Sequence, residues 1–142
     1  MFADIPRAVG RESGAVNPPV LITDGLWRKS LAAVRSLGRQ GVRVIVGERT
    51  RLAPALWSRY TSKRFLHPSA RLATDRFLER LAETIEREGA GVLLPMEEET
   101  LLAILRQRDR LPEGVAIPFA APETIERVRD KAELFRLAER IG

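Results

Sequence analysis

Apolar and polar positions along this chain follow two alternating rhythms, a short continuous run and a helical stripe. PVLITDG is a short apolar run ending in a turn, the signature of a buried strand. From Trp27 the apolar residues recur at Leu31, Val34 and Leu37, one face of a helix closed by Gly38 and Gly41. VRVIVG (42–47) is rich in β-branched residues and suits a second strand. Residues 48–74 are less regular, with a short third strand expected in KRFLHP and stopped by Pro68. A helix over 75–88 would bury Phe77, Leu78, Leu81, Ala82 and Ile85, with Thr74 or Asp75 as cap and Gly89 as terminator. GVLLP (91–95) predicts a fourth strand, and a helix from about Glu97 to Gln107 would bury Leu101, Leu102, Ile104 and Leu105. VAIPF (115–119) predicts a fifth strand, and PETIERV starts a helix with Pro122 in its first turn.

Strands alternating with helices at this spacing imply a parallel sheet covered on both faces. The expected class is α/β, a Rossmann-like αβα sandwich with right-handed crossovers. Residues 1–18 lack periodicity and read as a flexible arm. The last stretch, RDKAELFRLAERIG, restarts a helix. Asp130 with Glu133 three residues on has capping-box spacing, Leu134, Phe135, Leu137, Ala138 and Ile141 form an apolar stripe, and Gly142 suits a C-terminal cap. Such a helix expects a partner surface.

Composition narrows the classes. At 142 residues the chain can build one domain with a real core. No apolar run approaches the ~20 residues that span a bilayer, so no membrane partner is expected. The N-terminus lacks the cationic start and apolar block of a secretory signal, and a cytoplasmic location is the default. The absence of cysteine removes disulfides, thiolate metal sites and thiol nucleophiles. The net charge of +5 hides an asymmetry: residues 1–72 carry 13 Lys/Arg against 4 Asp/Glu, the remainder 11 against 15. A basic half can mark a phosphate or nucleic-acid partner. These arginines are scattered among few aromatics and form no nucleic-acid motif, so no specific nucleic-acid partner is expected.

In open parallel sheets, ligands bind beyond the carboxyl ends of the strands. That places Thr23–Gly25, Gly47–Arg49 and Pro95–Glu99 on one rim. A dinucleotide site would need three glycines in the first turn. DGLWRKS offers one, and Glu48 alone is weak support for a ribose contact. The run Glu97–Glu99 suits the dipole of a helix first turn, or turns one carboxylate toward an amine or metal-bound ligand. Asp24 ends a central strand and is the better functional candidate, although a turn-forming aspartate has the same sequence. His67, the only histidine, has no second ligand of matching spacing and is expected on the surface rather than at a metal. The serines lack an elbow glycine pattern and have His67 as their one candidate base, so no self-contained catalytic residues are expected.

The order strand–DG–helix with SLGRQGVRVIV, then WSRYTSKRF, GVLLPMEEET and APETIERVRDKAELFRLAERIG resembles the N-terminal part of ATP-grasp proteins. The nearest branch is that of carbamoyl-phosphate-synthase-like carboxylate–amine ligases. The resemblance covers about residues 19–142. It implies a preATP-grasp domain over 19–129 and, over 130–142, the first helix of a truncated or missing ATP-grasp domain. It implies that Lys131 reaches bound ATP, and that Asp24, Gly25, Pro95 and Glu97 face the substrate carboxylate or amine. ATP and Mg2+ would serve the complete enzyme, with none bound tightly by this chain alone. The implied partners are an ATP-grasp domain, from the same gene or a separate chain, and a small-molecule carboxylate or amine, with a homodimer also open. The competing reading is a stand-alone module that binds a nucleotide or a small phosphorylated ligand.

Overall fold

A computed structural model describes residues 17–129 and 131–141; the expected arm falls almost wholly outside them, as do the cap residues Asp130 and Gly142. Four strands, β1 (Val20–Ile22), β2 (Val44–Glu48), β3 (Thr61–Leu66) and β4 (Val92–Leu94), form an all-parallel sheet in the order β3-β2-β1-β4. Helices α1 (Arg28–Arg39), α2 (Thr74–Glu88) and α3 (Glu98–Arg106) follow β1, β3 and β4, and a 3-10 turn covers Pro54–Trp57. Two further helices, α4 (Pro122–Arg129) and α5 (Lys131–Ile141), leave α3 in succession.

The period of two along each strand separates the core into two layers. Val20, Ile22, Val44 and Val46 pack with Val34 of α1 and with Ala55 and Leu56. Leu21, Ile45 and Leu93 point the other way, onto Phe77, Leu78, Leu81 and Ile85 of α2 and Ile104 of α3. Burial on both faces explains the nearly unbroken apolar runs of β1 and β2. β3 lies at the open edge, and its exposed Lys63 and Arg64 discourage a further strand from adding there. It begins at Thr61, ahead of the expected KRFLHP, in a polar stretch that carries no strand pattern.

The expected fifth strand is reduced to one bridge, Val92 with Ala116. Leu93 N–H donates to Ala116 O and Ala116 N–H to Gly91 O, each at 2.8 Å. Pro118 then removes the next donor, and Phe119 N–H turns back to Ile117 O. Arg108 holds the preceding loop by donating to the carbonyls of Pro112 at 3.2 Å and Val115 at 2.6 Å.

β1 is central, with its continuation through β2 on one side and β4 on the other. The strand order therefore reverses between β1 and β4, and the rim beyond their carboxyl ends is where such folds place ligands.

Candidate functional site

The rim is built around Asp24. It adopts φ 60°, a left-handed conformation that side chains other than glycine and asparagine or aspartate rarely take. Its Oδ2 accepts the N–H groups of Met96 at 3.1 Å and Glu97 at 3.0 Å and the Thr23 hydroxyl at 2.7 Å. Oδ1 accepts the Thr100 hydroxyl at 2.8 Å. The carboxylate thus ties the end of β1 to the two residues that lead into α3 and to the Thr100 side chain in its first turn. The Asp24 carbonyl also accepts the buried Ser30 hydroxyl at 2.6 Å, fixing the entry to α1.

Glu48, only 5% exposed, ends β2. Its two oxygens accept the amides of Leu26 at 2.9 Å and Arg49 at 2.6 Å. The Leu26 amide lies in the β1–α1 turn, where a dinucleotide site would offer amides to a pyrophosphate. Here a carboxylate already holds it, which reinforces the argument from the missing glycines.

The four rim residues singled out from sequence come together. Gly25 donates to Gly47 O and accepts from Ala55, both at 3.2 Å, and a Cβ there would stand 3.0 Å from Val46 Cγ1. Pro95 is buried, and the half-buried Glu97 carboxylate pairs with Lys29 of α1 at 2.7 Å. Lys131 is the first residue of α5, which contacts α4.

His67 corrects an expectation. It is 6% exposed rather than on the surface, wedged between Phe65 and Phe77 at ring-centroid distances of 5.6 and 4.9 Å. It stands two residues after the inward-facing Phe65, so the strand period turns it inward too, a signal present in the sequence. Its Nδ1 lies 2.9 Å from Pro68 O, and Nε2 is buried with no partner among the described residues. His67 lines a cavity of about 430 Å³ at the carboxyl ends of the strands, together with Asp24, Glu48, Arg49, Arg71 and Glu99. Sequence reasoning passed over Arg71 entirely, because it is one scattered arginine among many. Among the described residues no group of three or more His, Cys, Asp or Glu is placed to hold a metal ion, and no helix is long and apolar enough to cross a membrane.

No protein-family model and no curated protein matches the sequence. Solved structures do match the fold. A biotin carboxylase domain of a thermophilic 2-oxoglutarate carboxylase, bound to ADP, aligns with a TM-score of 0.60 at 14% identity over 87% of this chain and 27% of that one. The biotin carboxylase domain of a single-chain bacterial carboxylase gives 0.61 at 16% identity, over 87% and 29%. An L-amino acid ligase from Bacillus licheniformis gives 0.57 at 13% identity, over 84% and 28%. All three are ATP-grasp enzymes. At such identities the likeness is one of fold, and it is the Rossmann-like preATP-grasp fold that the sequence resembles. The chain spans less than a third of each of these proteins.

Proposed function

We propose that this chain is the substrate-side scaffold domain of an ATP-dependent carboxylate–amine ligase, of the carbamoyl-phosphate-synthase-like branch, and is inactive alone. The observation that carries this reading is the coverage: ATP-grasp structures match nearly the whole chain while the chain matches under a third of them. Residues 19–129 form the scaffold, and residues 130–142 open the ATP-grasp domain, in the same or a separate polypeptide. Phe135 and Ile141 support this division, being 71% and 77% exposed on α5, where a second domain would cover them.

In the complete enzyme, transfer of the ATP γ-phosphoryl group to a carboxylate would create an acyl phosphate that an amine then displaces. This chain supplies one wall of the cleft. Asp24 and Gly25 fix the turn after β1, Pro95 and Glu97 fix the start of α3, and Lys131 offers a cation to phosphate from the first turn of a helix. The single-glycine turn and the committed Leu26 amide leave the β1–α1 turn no backbone cradle for a nucleotide polyphosphate, so ATP and Mg2+ belong with the second domain. The reaction and its setting are cytoplasmic.

The test is reconstitution. The reading frame beyond Gly142, or a neighbouring gene, should encode an ATP-grasp domain. Joined to it, the chain should support carboxylate-dependent ADP release, and alone it should show none. Magnesium-dependent turnover by the repurified chain alone would refute the scaffold reading. Tight nucleotide binding without turnover, alone or joined, would favour the stand-alone module.

A further inference from the structure

We propose that the rim cavity binds a phosphorylated small molecule by its phosphoryl group, gripped by Arg49 and Arg71 over His67. The inference deepens the ligase reading by naming a handle on the substrate, and it rests on that reading only for what the ligand is used for.

Most carboxylates of the cavity already have partners. Asp24 accepts four donors, Glu48 holds two backbone amides, and Glu97 pairs with Lys29. Arg71 makes no hydrogen bond or ion pair among the described residues, and the Arg49 guanidinium only grazes Glu48, at 3.9 Å. Two guanidinium groups therefore face the cavity largely unmatched, against one uncommitted carboxylate, Glu99. Arginine forks match the spaced oxygens of a phosphoryl group.

His67 is the independent observation. The Pro68 carbonyl can only accept, so the proton on the neutral ring sits on Nδ1, and Nε2 is left as a buried polar atom without a partner. Buried side-chain nitrogens are nearly always matched, and this one belongs to a residue that lines the cavity, where a ligand can supply the missing partner. Nε2 can accept from a protonated phosphate oxygen, or take up a proton and donate to an anionic one. Ser69 adds a donor: its Oγ accepts the Leu72 amide at 3.2 Å and keeps its hydroxyl proton to give. Two forks, a hydroxyl and an imidazole outnumber the acceptor oxygens of one carboxylate and suit a tetrahedral oxyanion. Glu99 sets the limit, because a second anionic group on the ligand would meet it.

The chain has one histidine, so its ring signals in a proton–nitrogen NMR spectrum report on this site alone. The purified chain is titrated with inorganic phosphate, with succinate and with sodium chloride at matched ionic strength. Phosphate should shift the His67 signals to saturation with Kd on the order of 1 mM, about tenfold tighter than succinate. Arg71→Gln should weaken it about tenfold, Glu99→Gln should tighten it a few-fold, and Arg35→Gln on the exposed face of α1 should change nothing. The same spectra show that each variant is folded. A phosphate response no different from chloride, one indifferent to Arg71→Gln, or a preference for succinate would overturn the proposal. Phosphate binding without ligation after reconstitution would sink the ligase reading and leave this site standing. Ligation without phosphate binding would do the reverse.

Discussion

Replacing Asp24 by alanine separates a structural tie from a ligand contact at the rim. The substitution strips the amides of Met96 and Glu97 and the hydroxyls of Thr23 and Thr100 of their shared acceptor. Losing the charged acceptor of the two amides that lead into α3 costs about 1 kcal/mol. Thr23 is fully buried, and leaving its hydroxyl unmatched costs about 1–3 kcal/mol more. The Thr100 hydroxyl can turn elsewhere, and water can reach part of the opened site. A total of about 3 kcal/mol is therefore expected. With an m-value of about 2 kcal/mol/M, the urea midpoint should fall by about 1.5 M. Asp24→Gly breaks the same bonds but removes the cost of holding a side chain at φ 60°, and should recover about 1 kcal/mol relative to alanine. Tryptophan fluorescence can follow the transition, since Trp27 stands beside the site. If alanine stays within about 0.5 kcal/mol of the native protein, the tie is energetically idle and the carboxylate is free to serve a substrate. If the loss is as large as expected, ligand binding at Asp24 is restricted to a remaining lone pair on Oδ1, because three donors already crowd Oδ2.

Three other outcomes follow from single contacts. Gly38→Ala should destabilise the fold by about 1–3 kcal/mol in urea titration, despite alanine's helix propensity, because the new Cβ would lie 2.4 Å from Tyr60 Cβ. Burial pushes the Glu88 carboxyl up, but the Arg87 hydrogen bond and the charges of Lys63 and Arg43 outweigh it and hold it below its ordinary value. Its contribution is thus present above the unfolded value of about 4.3 and lost as pH falls through the lower folded one, so native and Glu88→Gln urea midpoints should converge on acidification. Tyr60, the only tyrosine, is held below the usual phenol range chiefly by its hydrogen bond from Arg59, then by Arg39; Arg59→Gln should raise the midpoint of its ultraviolet titration, and an unmoved midpoint would contradict the assignment.

The sheet and its helices were legible because burial on both faces writes itself into runs such as VRVIVG and into the stripe from Phe77 to Ile85. Gly89 was equally plain, and it closes α2 at φ 66°. The failures have physical causes. VAIPF has strand composition, but composition does not show that Pro118 arrives after one bridge. β3 is an edge strand that opens on the polar run TSKR, and polar edges carry little periodic signal. The rim residues Asp24, Gly25, Pro95 and Glu97 could be placed together from topology alone. What could not be read was the hydrogen bonding that links Asp24 to residues more than seventy positions away.

The rim then divides into two parts with different physics. On the β1–β4 side, the Asp24 and Glu97 carboxylates are committed to donors within the chain, and the left-handed turn at Asp24 holds because its donors over-determine it. On the β2–β3 side, arginines and a buried imidazole nitrogen remain short of partners. A fold tolerates such deficits where something outside it supplies the missing half, and spends its satisfied groups on keeping that place rigid. The switch point that topology marks for a ligand is stitched by Asp24, which moves the room for chemistry one strand over, toward His67. The acid that follows the central strand is therefore the frame of the site, and beside Arg49 it is His67 and Arg71, which sequence did not single out, that face its cavity.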